Sequence, residues 1–251
     1  MKYLFVGDVH NKLYIFDDIE RLDKEYEFDK IIFMGDYVDD WKTNNYDSQQ
    51  TLLDVLALKK SNPDKYVLLI GNHEISYLGH PCSGHKYEQE YLVRDLLKDN
   101  IKYFDLFTTV ECGKRKYVCT HAGITNSFIN NVLVGEKNWE YILNDFNKDF
   151  NKGLVNPSAI AYLSICSGFR GGSSDFSSFV WCDSRELLNC KDPIIPYQIV
   201  GHTPVPEIIN YVDGDSINYI LVDTHSTYRD GRNIGDKSYL FWNEDKFDSL
   251  N

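Results

Sequence analysis

Short apolar runs that end each time in Asp, Asn or His limit the fold of this chain more than any other feature of its sequence. Tyr3–Val6 runs into Gly7-Asp8-Val9-His10, Ile31–Met34 into Gly35-Asp36-Tyr37-Val38-Asp39, and Tyr66–Ile70 into Gly71-Asn72-His73-Glu74. Tyr117–Cys119 leads to Thr120-His121-Ala122-Gly123, and Gln198–Val200 leads to Gly201-His202-Thr203-Pro204. Runs of this length, rich in aromatic and β-branched residues and bounded by polar residues or glycine, read as strands. In α/β sheets ligands bind beyond the carboxyl ends of strands, so polar residues placed there can converge on one crevice. The glycines let the chain turn sharply and let a ligand approach the backbone. In extended backbone, residues i and i+2 share a face, which predicts that Asp8 and His10 reach the same ion.

Phe179–Trp181, Tyr219–Val222 and Tyr239–Trp242 read as further strands. Between strands, apolar residues recur every three to four positions: Leu13, Phe16, Ile19 and Leu22; Leu52, Leu53 and Leu56; Tyr91, Leu92 and Leu96; Trp139, Ile142, Leu143 and Phe146. These spacings predict helices, the second capped by Asp47 or Ser48. The order is β-α-β-α-β-α-β in the first half and strand-rich in the second, which predicts an α/β protein with a mixed sheet. With 251 residues and 43% hydrophobic composition, the chain suits one domain spanning 1–251. The glycine- and serine-rich stretch Gly153–Ser178 is expected to be an irregular insertion, at about 150–178, serving as a lid or a surface excursion.

The formal charge of −12 argues against a broad nucleic-acid surface or an anionic-membrane face, both of which need a basic patch. It leaves phosphate substrates open, because bound cations can supply the local positive field. The six cysteines form no Cys-x-x-Cys pair and no zinc-finger spacing. Together with the absence of a signal-peptide core or a membrane-length apolar run, they predict a cytoplasmic, reducing environment. Oligomeric state is not legible.

Each junction taken singly could be a helix cap. Capping does not explain histidines at four of the five points. Together, Gly7-Asp8-Val9-His10, Gly35-Asp36-Tyr37-Val38-Asp39, Gly71-Asn72-His73-Glu74, Thr120-His121-Ala122-Gly123 and Gly201-His202-Thr203-Pro204 resemble the signature set of calcineurin-like metallophosphatases. Glu74, the His-Ala-Gly sequence, Arg170-Gly171-Gly172, Val180-Trp181 with Arg185-Glu186, and Leu221-Val222-Asp223-Thr224 are similar to one branch. That branch holds serine/threonine protein phosphatases, phage phosphatases and bacterial diadenosine tetraphosphatases.

The resemblance implies a four-layer α/β-β/α sandwich of two mixed sheets flanked by helices. It also implies two divalent metal ions, with Asp8, His10 and Asp36 on the first and Asp36, Asn72, His121 and His202 on the second. A bridging Asp36 suits a carboxylate, whose two oxygens can serve two cations. Oxygen and nitrogen ligands without thiolate favour Mn²⁺, Fe or Zn²⁺ in a catalytic site. Two such ions would acidify a bridging water for in-line attack on a phosphorylated substrate. His73 is the expected general acid, and Asp39 the carboxylate that orients it.

The pattern departs from that of the protein phosphatases in its cations. Those enzymes carry arginine where Asp40 and Ile70 stand here, so Arg170 and Arg185 become the candidates for binding substrate phosphate, with Lys42 a weaker one. Restoring Asp40 and Ile70 together as arginine is expected to strengthen monoester binding. Asn11 also replaces a usual glycine, and His225 occupies another glycine position. His80 and His85 read as loop histidines near the rim, and Cys119 as core. The expected function is metal-dependent hydrolysis of phosphate monoesters, on phosphoprotein Ser/Thr or small esters. The alternatives are a nucleotide hydrolase or phosphodiesterase, and a non-catalytic scaffold.

Overall fold

A computed structural model describes residues 1–79, 81–132, 139–214 and 216–251. Strands and helices alternate at first: β1 (Tyr3–Val6), α1 (Tyr14–Tyr26), β2 (Lys30–Phe33), α2 (Asn45–Ser61), β3 (Tyr66–Leu68), α3 (Asn72–Leu78) and α4 (Tyr91–Asn100). The hairpin β4 (Phe107–Cys112) and β5 (Arg115–Thr120) follows. Then come α5 (Asn126–Val132), α6 (Trp139–Asn151), α7 (Pro157–Leu163) and α8 (Ser184–Leu188). The chain closes with β6 (Tyr197–Val200), β7 (Ile209–Asp213), β8 (Ile217–Leu221), β9 (Tyr239–Trp242) and β10 (Phe247–Leu250). No helix among the described residues is long and apolar enough to cross a membrane.

The strands form two five-stranded mixed sheets, ordered β10-β9-β1-β2-β3 and β4-β5-β6-β8-β7. β1, β2 and β3 are parallel neighbours, as are β5, β6 and β8; the outer strands run antiparallel. The period of two along each strand splits the core into layers. Tyr3, Phe5, Ile32, Met34, Val67 and Leu69 meet Val110, Tyr117, Cys119, Ile199 and Ile220 between the sheets. Leu4, Val6, Ile31, Phe33 and Leu68 turn the other way, onto Ile15, Ile19 and Leu22 of α1, Leu52 and Val55 of α2, and Val93 and Leu97 of α4. On the far side, Val200, Tyr219 and Leu221 pack against Leu187 of α8. Strands covered on both faces have no polar side to show, which is why they read as continuous apolar runs. The four-layer sandwich is therefore the fold.

Four local expectations change. Helix α2 is capped by Asn44, whose side chain accepts from Tyr46 N–H and Asp47 N–H while Asp47 accepts from Asn44 N–H. Asp47 is thus the N3 member of a capping box, and neither it nor Ser48 is the cap. Phe179–Trp181 is a buried turn and not a strand: Phe179 C=O accepts one bond from Ala122 N–H, and no ladder forms. β4, β7 and β10, which the apolar pattern misses, are outer strands with polar or exposed residues in their sequence. The stretch 150–178 is not irregular throughout: α7 lies in it, capped by Asn156 with Pro157 in its first turn.

Candidate active site

Parallel pairing sends the carboxyl ends of β1, β2, β3, β5 and β6 to one edge of the sandwich, and the five junctions lock into one another there. Asp36 C=O accepts from Val9 N–H at 3.0 Å and His10 N–H at 2.8 Å. Asp36 Oδ1 accepts from His73 N–H at 2.9 Å, and Asp8 Oδ1 accepts from His202 N–H at 2.9 Å. Each carboxylate thereby spends one oxygen on a neighbouring turn and keeps the other for the crevice. Gly35 has φ +108°, and a Cβ there would lie 2.7 Å from Gly71 N; a Cβ on Gly71 would collide with Asp36 Oδ1.

His10, Asp36, Asp39 and His202 all have positive φ, between 44° and 64°. Non-glycine residues adopt this conformation at a cost and cluster where a site demands it. Asp8 and His10 therefore do not converge by strand alternation as expected. β1 has already ended at Val6, and the left-handed turn at His10 brings the two side chains together.

One group of donors surrounds His10. Its Nδ1 lies 3.0 Å from Val38 C=O, so Nδ1 carries the proton and Nε2 presents a lone pair to Asp8 Oδ2 and Asp36 Oδ2, each 3.8 Å away. Burial pulls the His10 pKa down to about 4, which keeps the ring neutral and able to ligate. His10, Asp36 and His73 each bring a ligand atom within 4.8 Å of the others. His73 is a neighbour that the expected first ligand set leaves out.

The second group is tighter, and all its members are buried. His121 Nδ1 stands 2.8 Å from Met34 C=O, leaving Nε2 to face Asn72 Oδ1 at 3.0 Å, His202 Nδ1 at 3.1 Å and Asp36 Oδ2 at 3.3 Å. Four groups that can offer lone pairs thus meet at one point, an arrangement that suits a positive charge between them. Burial opposes a charged His121, but Asp36 and Asp8 outweigh it and push its pKa up to about 9. A divalent cation supplies the same charge. His202 Nε2 is buried without a hydrogen-bond partner. Asp36 Oδ2 faces both His10 and His121, so the residues present fit a pair of cations sharing that carboxylate.

Beside these groups, His73 Nδ1 lies 2.9 Å from Asp39 Oδ2. The other Asp39 oxygen accepts from Tyr77 O–H at 2.7 Å, and the same hydroxyl oxygen lies 2.8 Å from Asn45 Oδ1. The carboxylate is thus held from behind and the imidazole from its Nδ1 side. Burial opposes a charged His73, yet Asp36, the Cys82 sulfur and Asp39 together hold its pKa well above the usual imidazole range.

All of this opens into a cavity of about 290 Å³, whose wall includes Asp8, His10, Asp36, Asn72, His73, His202, Lys12, Asp40, Trp41, Trp181 and Arg170. Of the two arginine candidates, the structure brings in Arg170. Its Nε lies 2.9 Å from Asp183 Oδ2, and its Nη2 donates to Thr203 Oγ1 at 2.7 Å. Arg185 is placed elsewhere: its side chain is 61% exposed, forks onto Asp183 and lies over the Phe169 ring at 4.8 Å, and it is not among the residues lining the cavity. Ile70 is fully buried in the helix-side core, so an arginine there would first have to pass its charge through apolar residues.

Two contributors escaped the sequence reading. The sequence marks Glu74 only through the resemblance, yet its oxygens accept from Asp36, Tyr37, Val38 and Gly71 N–H and so shape two junctions at once. Burial and the Asp36 charge push its pKa up to about 7. The Glu three residues after Gly71 matches a capping-box spacing, and that was the available signal. Lys12 lines the cavity, and a lone lysine in a turn carries no motif. Among the remaining histidines, His85 bridges Ser76 Oγ and Glu90 away from the metal groups. His225 is buried against Tyr14 and Tyr239, and His80 lies outside the described residues. Cys119 is core, as expected.

Known proteins resemble this one at several levels. Over 120 residues the chain is 30% identical to serine/threonine-protein phosphatase ppe1 of Schizosaccharomyces pombe, covering 47% of this chain and 38% of that protein. Over 125 residues it is 30% identical to the serine/threonine-protein phosphatase 6 catalytic subunit of Drosophila melanogaster, covering 49% and 40%. The chain thus spans less than half the length of these curated relatives. Its fold is similar to that of a cold-active protein-tyrosine phosphatase from a psychrophilic Shewanella species. That likeness has a TM-score of 0.57 at 16% identity, over 100% of this chain and 80% of the other. The calcineurin-like phosphoesterase family model matches residues 1–206, a span that contains all five junctions; the chain belongs to that family.

Proposed function

We propose that the chain is a metal-dependent phosphoesterase that hydrolyses phosphate monoesters, on phosphoprotein Ser/Thr or small phosphate esters, with His73 as general acid. The supporting observation is that the Asp39–His73 pair opens into the same cavity as two donor groups sharing Asp36. Asp8, His10 and Asp36 would hold one divalent cation, and Asp36, Asn72, His121 and His202 the other. When bound, such a pair supplies Lewis-acid charge to phosphoryl oxygens and acidifies water; carboxylate, amide and imidazole donors suit Mn²⁺, with Fe or Zn²⁺ compatible.

The chain's own residues supply the remaining steps. Asp39 keeps the His73 Nδ1–H in place and aims Nε2 toward the cavity, where it gives its proton to the leaving oxygen. Arg170, which lines the same cavity, offers guanidinium donors to the phosphate oxygens. The names of the two curated relatives favour a monoester, and six free thiols suit a reducing, cytoplasmic setting. A hydrolysis screen with Mn²⁺ tests the reading, using an aryl phosphomonoester, an aryl phosphodiester and dinucleoside polyphosphates. Monoester turnover that chelation abolishes is the expected result. Faster cleavage of the diester or the dinucleotide would replace the monoester reading, and inactivity of the metal-loaded protein on all three would remove it.

A further inference from the structure

We propose that Lys12 is a substrate-binding residue whose ammonium takes a non-bridging oxygen of the bound phosphate, an assignment that rests on the phosphoesterase reading above. Lys12 sits in the turn between β1 and α1, two residues after His10, and its side chain is 8% exposed. It lines the same cavity as Asp8, His10, His73 and Arg170. An ammonium has three donors. Among the described residues, one finds a hydrogen-bond acceptor, His10 C=O at 3.3 Å. Asp40 Oδ2 is 3.6 Å away, close enough for an ion pair but beyond a hydrogen bond. With one donor on His10 C=O and one turned toward Asp40, the third is left for an oxyanion entering the cavity.

The surroundings explain why a cation stands here. The second junction has Asp40 in place of an arginine, and Ile70 is sealed in the core, so neither position supplies positive charge. Asp40 is pinned to the cavity wall by Trp41 N–H at 2.7 Å and Thr227 O–H at 3.1 Å, and it keeps the Lys12 ammonium beside it. Charge that does not come from the second junction thus arrives from the first. Lys12 and Arg170 are the Lys and Arg side chains that line the cavity among the described residues. A compact ammonium on a flexible stem offers no bidentate fork, so the pair should grip a phosphate dianion by charge more than by shape.

A lysine that only neutralises Asp40 would leave the phosphate affinity of the loaded protein untouched. The experiment therefore measures inorganic phosphate binding by calorimetry on the full, Mn²⁺-loaded chain, alongside metal content and steady-state kinetics on an aryl phosphomonoester. Lys12→Gln should weaken phosphate binding and raise KM by about 10–100-fold, the worth of one charge-assisted bond, with kcat changed less than KM. Lys12→Arg should recover part of the loss. Asp40→Asn removes the counter-ion while keeping a hydrogen-bonding side chain, and should tighten phosphate binding. Unchanged phosphate affinity in Lys12→Gln at full metal content overturns the proposal; so does weaker or equal binding in Asp40→Asn, should the Lys12 variants not fold. If wild type binds phosphate through Lys12 yet hydrolyses nothing, the phosphoesterase reading fails and Lys12 is a phosphate-binding residue without a substrate role. If wild type hydrolyses monoesters and Lys12→Gln matches it in KM, the reverse holds.

Discussion

Glu74→Gln is the substitution whose effect can be worked most directly from the structure. One carboxylate oxygen accepts from Asp36 N–H and Gly71 N–H, both at 2.9 Å; the other accepts from Tyr37 N–H at 2.8 Å and Val38 N–H at 3.3 Å. An amide must place its NH₂ where one of those oxygens stood, so two buried donors would face a third donor. The Tyr37–Val38 side is the weaker pair, and the amide should turn its NH₂ that way. Each buried N–H left unpaired costs about 1–3 kcal/mol, and partial relaxation puts the expected loss near ~3 kcal/mol. Unfolding in urea, with and without Mn²⁺, measures it as a lower midpoint at constant slope. The loss should be larger with Mn²⁺, because displaced Asp36 backbone also weakens the cation sites, whose binding stabilises the native state. A shift below about 0.5 kcal/mol in both conditions, with metal stoichiometry unchanged, would refute the idea that this buried carboxylate organises the junctions.

Three further outcomes are expected. Asp36→Asn should lose more bound Mn²⁺ than a change at any other single donor, because Asp36 Oδ2 faces both groups; metal analysis after dialysis that finds one ion per chain with full activity would end the shared-carboxylate reading. His73→Asn should keep both metals and lower kcat by roughly 10²–10⁴ on an alkyl phosphate, and by less with a p-nitrophenolate leaving group that needs little protonation. Equal losses on the two substrates, or loss of a metal, count against His73 as the acid. Arg170→Ala should raise KM for an aryl phosphomonoester by about tenfold while Arg185→Ala changes it less than twofold, since Arg170 lines the cavity and Arg185 does not. Equal effects would return Arg185 to the phosphate site.

Local patterns made much of this molecule readable. Apolar runs of strand length without polar alternation fit strands covered on both faces, so β1, β2, β3, β5 and β6 stand out, and the donors that follow them form a visible set. Residue type then spoke for chemistry, because carboxylate, amide and imidazole are what a pair of hard-to-borderline cations binds. The Asp39 and His73 pairing came from the resemblance, and the structure places the two in contact. Outer strands such as β7 and β10 stayed hidden, since a strand exposed to solvent keeps no apolar signature. What remained illegible lies between segments that are distant along the chain. Whether Arg170 or Arg185 enters the cavity, whether Ile70 faces core or ligand, which backbone amides Glu74 gathers and that Lys12 meets Asp40 all depend on how parallel strands set one turn against the next. Such contacts are made by shape and charge across elements, and no periodicity within one element encodes them.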